Sequence, residues 1–220
     1  MNLSTIKSSF YITYVFLITT GTICFIEALR SPIPQVRHIM NLETCISVVA
    51  GYFYSQFVKK IDNQQENEQQ LYKTINDTRY TDWAISTPLM LLVLCMVLGY
   101  ENKLNVHFSN VLYILLLNFL MLGSGYIGEL NMIPKIFANI IGFVFFFGMY
   151  RVIWNTYMKK SRTFNSKVIF YCFLILWAFY GIFYNMKTMD KIFGYNILDL
   201  LAKAFVGIFF WLYLTKTIKF

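Results

Sequence analysis

The chain has 220 residues, of which 57% are hydrophobic, 19% aromatic and only 14% charged. A soluble domain of this size carries roughly 25% charged residues. With a mean hydropathy of +0.52, the composition argues against an ordinary soluble fold and makes lipid the expected solvent. The net charge of +8 does not indicate nucleic acid, because Lys and Arg stand singly or in short clusters between apolar stretches, as basic flanks of membrane segments do. Cys24, Cys45, Cys95 and Cys172 each fall inside an apolar stretch, with neither a CxxC nor a His-x-x-x-His spacing, so no disulfide framework and no metal site is expected.

A helix needs about 20 residues to cross roughly 30 Å of hydrocarbon. Seven windows fit, near 9–29, 38–58, 79–99, 107–126, 134–157, 167–186 and 192–215. They predict an all-α, seven-transmembrane-helix bundle forming a single domain over 1–220, a multi-pass protein whose first partner is the bilayer. The first window lacks the short apolar core and small-residue cleavage site of a signal peptide, so it is expected to be retained. It carries Glu27 near its inner end; the second carries Glu43 about one and a half turns in. Between the second and third lies KKIDNQQENEQQLYKTIND (59–77), read as a solvated loop, with an extramembrane lid or short hairpin as the alternative. The third opens Arg79-Tyr80-Thr81-Asp82-Trp83 and continues Ser86-Thr87-Pro88, where the proline removes one backbone hydrogen bond that a membrane helix tolerates if neighbours satisfy it. The fourth to sixth are apolar, and the seventh holds Asp199 and Lys203. No inverted repeat of the transporter kind is visible.

Orientation follows from the bases. With the N-terminus outside, the cytoplasmic side holds ten Lys and Arg against one acid, and the outer side eight against six. The expected arrangement is N-out and C-in.

Lys203 sits near the middle of LLAKAFVGIFFW, where a lysine costs about 2.5–3.5 kcal/mol on insertion scales. Asp199 is one turn earlier, about 6 Å away on the same face. Taken alone, the two are as well explained by a buried ion pair that offsets both charges. The third segment shifts that balance. Arg79 and Asp82 are spaced i,i+3 and enter from the same outer side, so two cations and two anions form a nearly neutral interior cluster.

RYTDWAISTP in the third segment with DLLAK in the seventh resembles the microbial (type 1) rhodopsins, over the whole seven-segment plan. The resemblance implies all-trans retinal held as a covalent Schiff base on Lys203, with Asp82 and Asp199 as counterions and Arg79 as the extracellular gate. It implies a retinal pocket of Trp83, Ser86, Thr87, Met90, Asn118, Met121, Gly125, Trp177, Tyr180 and Tyr184, with Gly142 and Phe145 from the fifth segment. For any single aromatic, ordinary packing is the alternative in a chain with 22 Phe and 16 Tyr. The chemistry is independently sensible, since carboxylates beside a buried protonated nitrogen favour its charged form, and moving that N–H by isomerisation switches one charge cluster between two arrangements.

Departures from the family's pumps carry the functional information. The inner position eleven residues after Asp82, a carboxylate in efficient outward proton pumps, is Val93. Asp82 speaks against a chloride pump, and the Asn-Asp-Gln set of sodium pumps is absent. Glu43, followed by Thr44, Ser47 and Ser55, marks part of a polar stripe; with Glu27, Ser9, Lys191 and Asn196 it suggests an ion pathway. Snorkelling to the interface is the alternative for Glu27. The small size, the Asp82-Ser86-Val93 set and Glu43 look most like the group-1 viral rhodopsins. That resemblance implies a light-gated cation channel in the membrane of a virus-infected host cell, with an outward proton pump or a photosensor as alternatives. It implies cations or protons as the transported species and no enzyme activity. A homo-oligomer is left open.

Overall fold

The structure is a computed structural model that describes residues 3–63, 68–159, 161 and 163–217. Among these residues every regular element is helical. In chain order they are α1 (Leu3–Arg30), α2 (Pro34–Asn63), α3 (Glu68–Asn102), α4 (Phe108–Glu129), α5 (Lys135–Ile153), α6 (Phe164–Tyr184), α7 (Thr188–Asp199) and α8 (Val206–Leu214). A π-helical turn, Trp154–Met158, continues α5, and another, Leu200–Phe205, joins α7 to α8 into one rod. Lys203 lies on that second π turn. Seven rods result.

Six of the rods are long and apolar enough to cross a membrane. The exception is α2, whose Arg37, His38, Glu43, Ser47, Lys59, Lys60 and Asp62 dilute its apolar run. Its polarity is partly internal: Glu43 and Ser47 are buried. The loop expected over 59–77 is a correction. Residues 59–63 extend α2 and 68–77 belong to α3, while 64–67 lie outside the described residues. The apolar period explains it, because Ile61, Leu71 and Ile75 interrupt the polar stretch at helical spacing and all three are buried. Pro88 sits within α3 without ending it.

The described residues divide into two compact units, one formed by those up to Ser86 together with 186–217, the other by those of 87–185. In the first, α1 packs along α2 and against α7, the π turn and α8. The buried face of α1 runs Ile6, Phe10, Thr13, Leu17, Thr20, Cys24, Ala28, and that of α2 runs Glu43, Ser47, Ala50, Tyr54, Phe57, Ile61, each a stripe of three- and four-residue steps. In the second, α4 packs on α5, and α5 on α6. Tyr150 of α5 is edge-on to Phe170 and Trp177 of α6 at ring separations of 5.6 and 6.5 Å. Asn139 donates to the Gly181 carbonyl at 3.0 Å. Lipid tails are as apolar as leucine, so close packing and interhelical hydrogen bonds of this kind, rather than escape from water, hold such helices together.

Candidate functional site: a buried four-charge cluster

The first unit contains the four charged groups singled out in the sequence. Lys203, on the π turn, is 2% exposed, and its Nζ lies 2.7 Å from Asp82 Oδ2 and 3.6 Å from Asp199 Oδ1. Arg79, 1% exposed, places Nη1 3.0 Å from Asp199 Oδ2. Two cations thus meet two anions, and each carboxylate is fully enclosed. Burial is tolerable for charges only when they are paired and bonded in this way. Asp82 Oδ1 and Ser86 Oγ are buried with no hydrogen-bond partner among the described residues.

Tyr54, which the sequence analysis did not single out, completes the cluster. Its hydroxyl donates to Asp199 Oδ2 at 2.8 Å and accepts from Arg79 Nη1 at 3.2 Å. The available signal was its place on the Glu43–Ser47 face, eleven residues or three turns beyond Glu43. Asn196 accepts from Arg79 Nη2 at 2.7 Å and donates to Ser9 Oγ at 2.8 Å. Lys191 is buried on α7 in the same unit.

One turn beyond Lys203, α8 presents Gly207 to Glu43. A Cβ on that glycine would lie 3.1 Å from Glu43 Oε2, 2.7 Å from Thr20 Cγ2 and 3.9 Å from Cys24 Sγ. Glu43 is 2% exposed. Of the residues expected to continue its polar stripe, Ser47 is buried, while Thr44 and Ser55 are half-buried and bond the carbonyls of Met40 and Tyr52 on their own helix. Glu27 is half-buried on α1.

The remaining sequence-derived residues divide between the units. Trp83, edge-on to Tyr195 at 4.9 Å, and Ser86 belong to the first. In the second, Asn118 Nδ2 donates to Thr87 Oγ1 at 2.8 Å, and the Tyr184 hydroxyl donates to the Gly125 carbonyl at 2.8 Å. A Cβ on Gly142 would lie 3.8 Å from the Met121 carbonyl oxygen. Met90 and Trp177 are buried; Phe145 and Tyr180 are half-buried.

A family model for bacteriorhodopsin-like proteins matches residues 4–217. The chain belongs to the microbial rhodopsin family. Its structure is similar to the crystal structure of the viral rhodopsin OLPVRII, with 45% identity, a TM-score of 0.90 and coverage of 97% of this chain and 99% of that one. It also resembles Acetabularia rhodopsin I at 18% identity and a TM-score of 0.79, covering 99% and 97% of the two chains, a likeness of fold. Opsin-1 of Neurospora crassa is 31% identical over 156 residues, 62% of this chain and 48% of that protein. The match therefore spans about half of Opsin-1. The seven rods are those of the seven-helix rhodopsin fold. Members of the family are integral membrane ion transporters or photosensors that bind retinal as a Schiff base on a lysine in the bundle. The chemistry of the Lys203 site fits that group: a buried primary amine, a carboxylate at 2.7 Å to match a positive charge on its nitrogen, and an unpartnered oxygen on that carboxylate.

Proposed function

We propose that this rhodopsin carries retinal on Lys203 and is a light-driven proton transporter, moving protons from the Glu43 side to the Asp82 side of that residue. The observation that carries the reading is a carboxylate on each side of one buried nitrogen: Asp82 within 2.7 Å, and Glu43 packed at Gly207, four residues or one turn along the helix. When bound, retinal supplies light-driven isomerisation at a linkage that can bear a proton. Asp82 is positioned to accept that proton. Its bond to Lys203 uses Oδ2, leaving Oδ1 open. Glu43 is positioned to replace it and takes the place of the carboxylate missing at Val93. Asp199, held by Tyr54 and Arg79, is the anion that balances Arg79 when Asp82 becomes neutral. With the N-terminus outside, as the basic residues favour, the transport is outward. The sequence similarity to a viral rhodopsin supports residence in the membrane of an infected host cell.

A light-gated cation channel is the second reading, favoured by the buried Glu43, Thr20 and Ser47 on facing helices. Against it stands the Arg79 guanidinium, buried in the polar route beyond Asp199, where a fixed positive charge repels cations. Photocurrent against voltage in a host cell decides between them. Current that keeps one direction at all voltages supports transport driven by light; current that reverses with the cation gradient overturns it in favour of the channel. A light response without current leaves a photosensor and overturns both.

A further inference from the structure

Arg79 is held by more than its ion pair. Its guanidinium carbon lies 5.1–5.7 Å from the ring centres of Phe10, Tyr54, Phe57 and Tyr195, an aromatic enclosure that attracts a cation from several sides. Beside its bond to the Tyr54 hydroxyl, Arg79 is bonded to Asn196, whose amide is oriented by α1. Ser9 donates its hydroxyl proton to the Ile6 carbonyl at 2.7 Å. It must therefore accept from Asn196, which fixes Nδ2 toward Ser9 and Oδ1 toward Arg79. Thr13 adds a bond at 3.1 Å to the Asn196 main-chain carbonyl. All three polar residues are buried.

We propose that α1 clamps the gate arginine: Ser9 and Thr13 fix Asn196, and Asn196 holds Arg79 against Asp199 and so keeps it from turning to the ionised Asp82. Ser9 and Asn196 are then positioning residues rather than ligands along an ion path. The charged or titratable groups facing Arg79 are Asp199 and Tyr195 of α7, Tyr54 of α2 and Asp82 of its own helix. Among the bonds seen, only Asn196 occupies Nη2. Removing that acceptor leaves a buried donor unsatisfied, and Asp82 Oδ1 is a buried acceptor without a partner among the described residues.

The inference rests on Asp82 being the carboxylate paired with the retinal-bearing Lys203, and the test separates the two. Retinal-loaded protein is titrated in the dark, and the colour change that accompanies Asp82 protonation is followed. Asn196→Ala should move the half-point to lower pH by about one unit, because the freed guanidinium favours the charged carboxylate. Ser9→Ala should move it the same way by less, and should add nothing in the Asn196→Ala background, since Ser9 acts through Asn196. Retained visible colour reports folding; if Asn196→Ala yields none, Ser9→Ala alone decides. An unchanged half-point in the coloured variants, a rise, or an equal Ser9 effect in both backgrounds overturns the clamp. A colour titration that persists in Asp82→Asn overturns the pairing itself, and the clamp with it.

Discussion

Gly207 and Glu43 fit together so closely that the glycine is a condition of the glutamate's position. A Cβ at residue 207 would stand 2.7 Å from Thr20 Cγ2 and 3.1 Å from Glu43 Oε2, and Thr20 is restrained by its bond to the Ala204 carbonyl at 3.2 Å. In an open helix Gly→Ala gains up to about 1 kcal/mol. Here overpacking should outweigh that gain, for a net loss of about 1–3 kcal/mol, read as a lower thermal midpoint of the coloured protein. Gly148→Ala is the control, since its nearest neighbour is Leu117 Cδ1 at 4.0 Å; it should be neutral or stabilising.

Lys203→Ala should leave a colourless protein, and retained visible absorbance after retinal addition would refute the attachment site. It also leaves Asp82 without its ionic partner in a fully enclosed site. Breaking one side of a buried pair costs about 3–5 kcal/mol, so the apoprotein should melt earlier than wild-type apoprotein. Adding Asp82→Asn should recover part of that loss, because the two sites are coupled.

Thr87 and Asn118 make a test within the second unit. Thr87→Val keeps the shape of the side chain but removes the acceptor for Asn118 Nδ2, now at 2.8 Å, in a site where Asn118 is fully enclosed. Leaving that amide unsatisfied should cost about 1–3 kcal/mol, measured as faster thermal bleaching. Thr87→Ser, which retains the hydroxyl, should restore most of it.

Asp62, at the end of α2 beyond the apolar window, accepts from Lys7 and Tyr11 of α1. These bonds, with Lys7 the larger influence, hold its carboxyl below the usual carboxylate range. A lowered folded-state value means that the tie stabilises above the ordinary aspartate value of about 4 and is lost as pH falls through the folded-state value. Asp62→Asn should therefore lower thermal stability slightly at neutral pH and leave it unchanged in strong acid. The pair is solvent-exposed, so raising salt should shrink the neutral-pH difference.

The rods and the four-charge cluster were legible because membrane insertion makes each interior charge costly. Arg79, Asp82, Asp199 and Lys203 therefore stood out from their segments. Tyr54, Phe10, Phe57 and Tyr195 did not, because in a chain with 22 Phe and 16 Tyr aromatic identity alone does not tell a cation enclosure from lipid contact. The helical extensions of α2 and α3 were missed because a strongly polar composition hid the buried Ile61, Leu71 and Ile75. The π turn at Leu200–Phe205, on which Lys203 lies, leaves no sequence signature.

Glu43→Gln separates proton supply from everything else that residue does. The amide keeps the shape beside Gly207, and the bonds of Lys203, Asp82, Arg79 and Asp199 do not involve Glu43, so colour and folding should be preserved. An amide cannot deliver a proton. Flash photolysis should then show proton arrival at Asp82 with its native timing, followed by a late step slowed about 10²-fold or more, the lower end of what a positioned acid contributes. A small diffusible acid such as azide should restore part of the rate. An unchanged late step would remove Glu43 from the proton route, and a changed ion preference with native kinetics would place it in a channel instead.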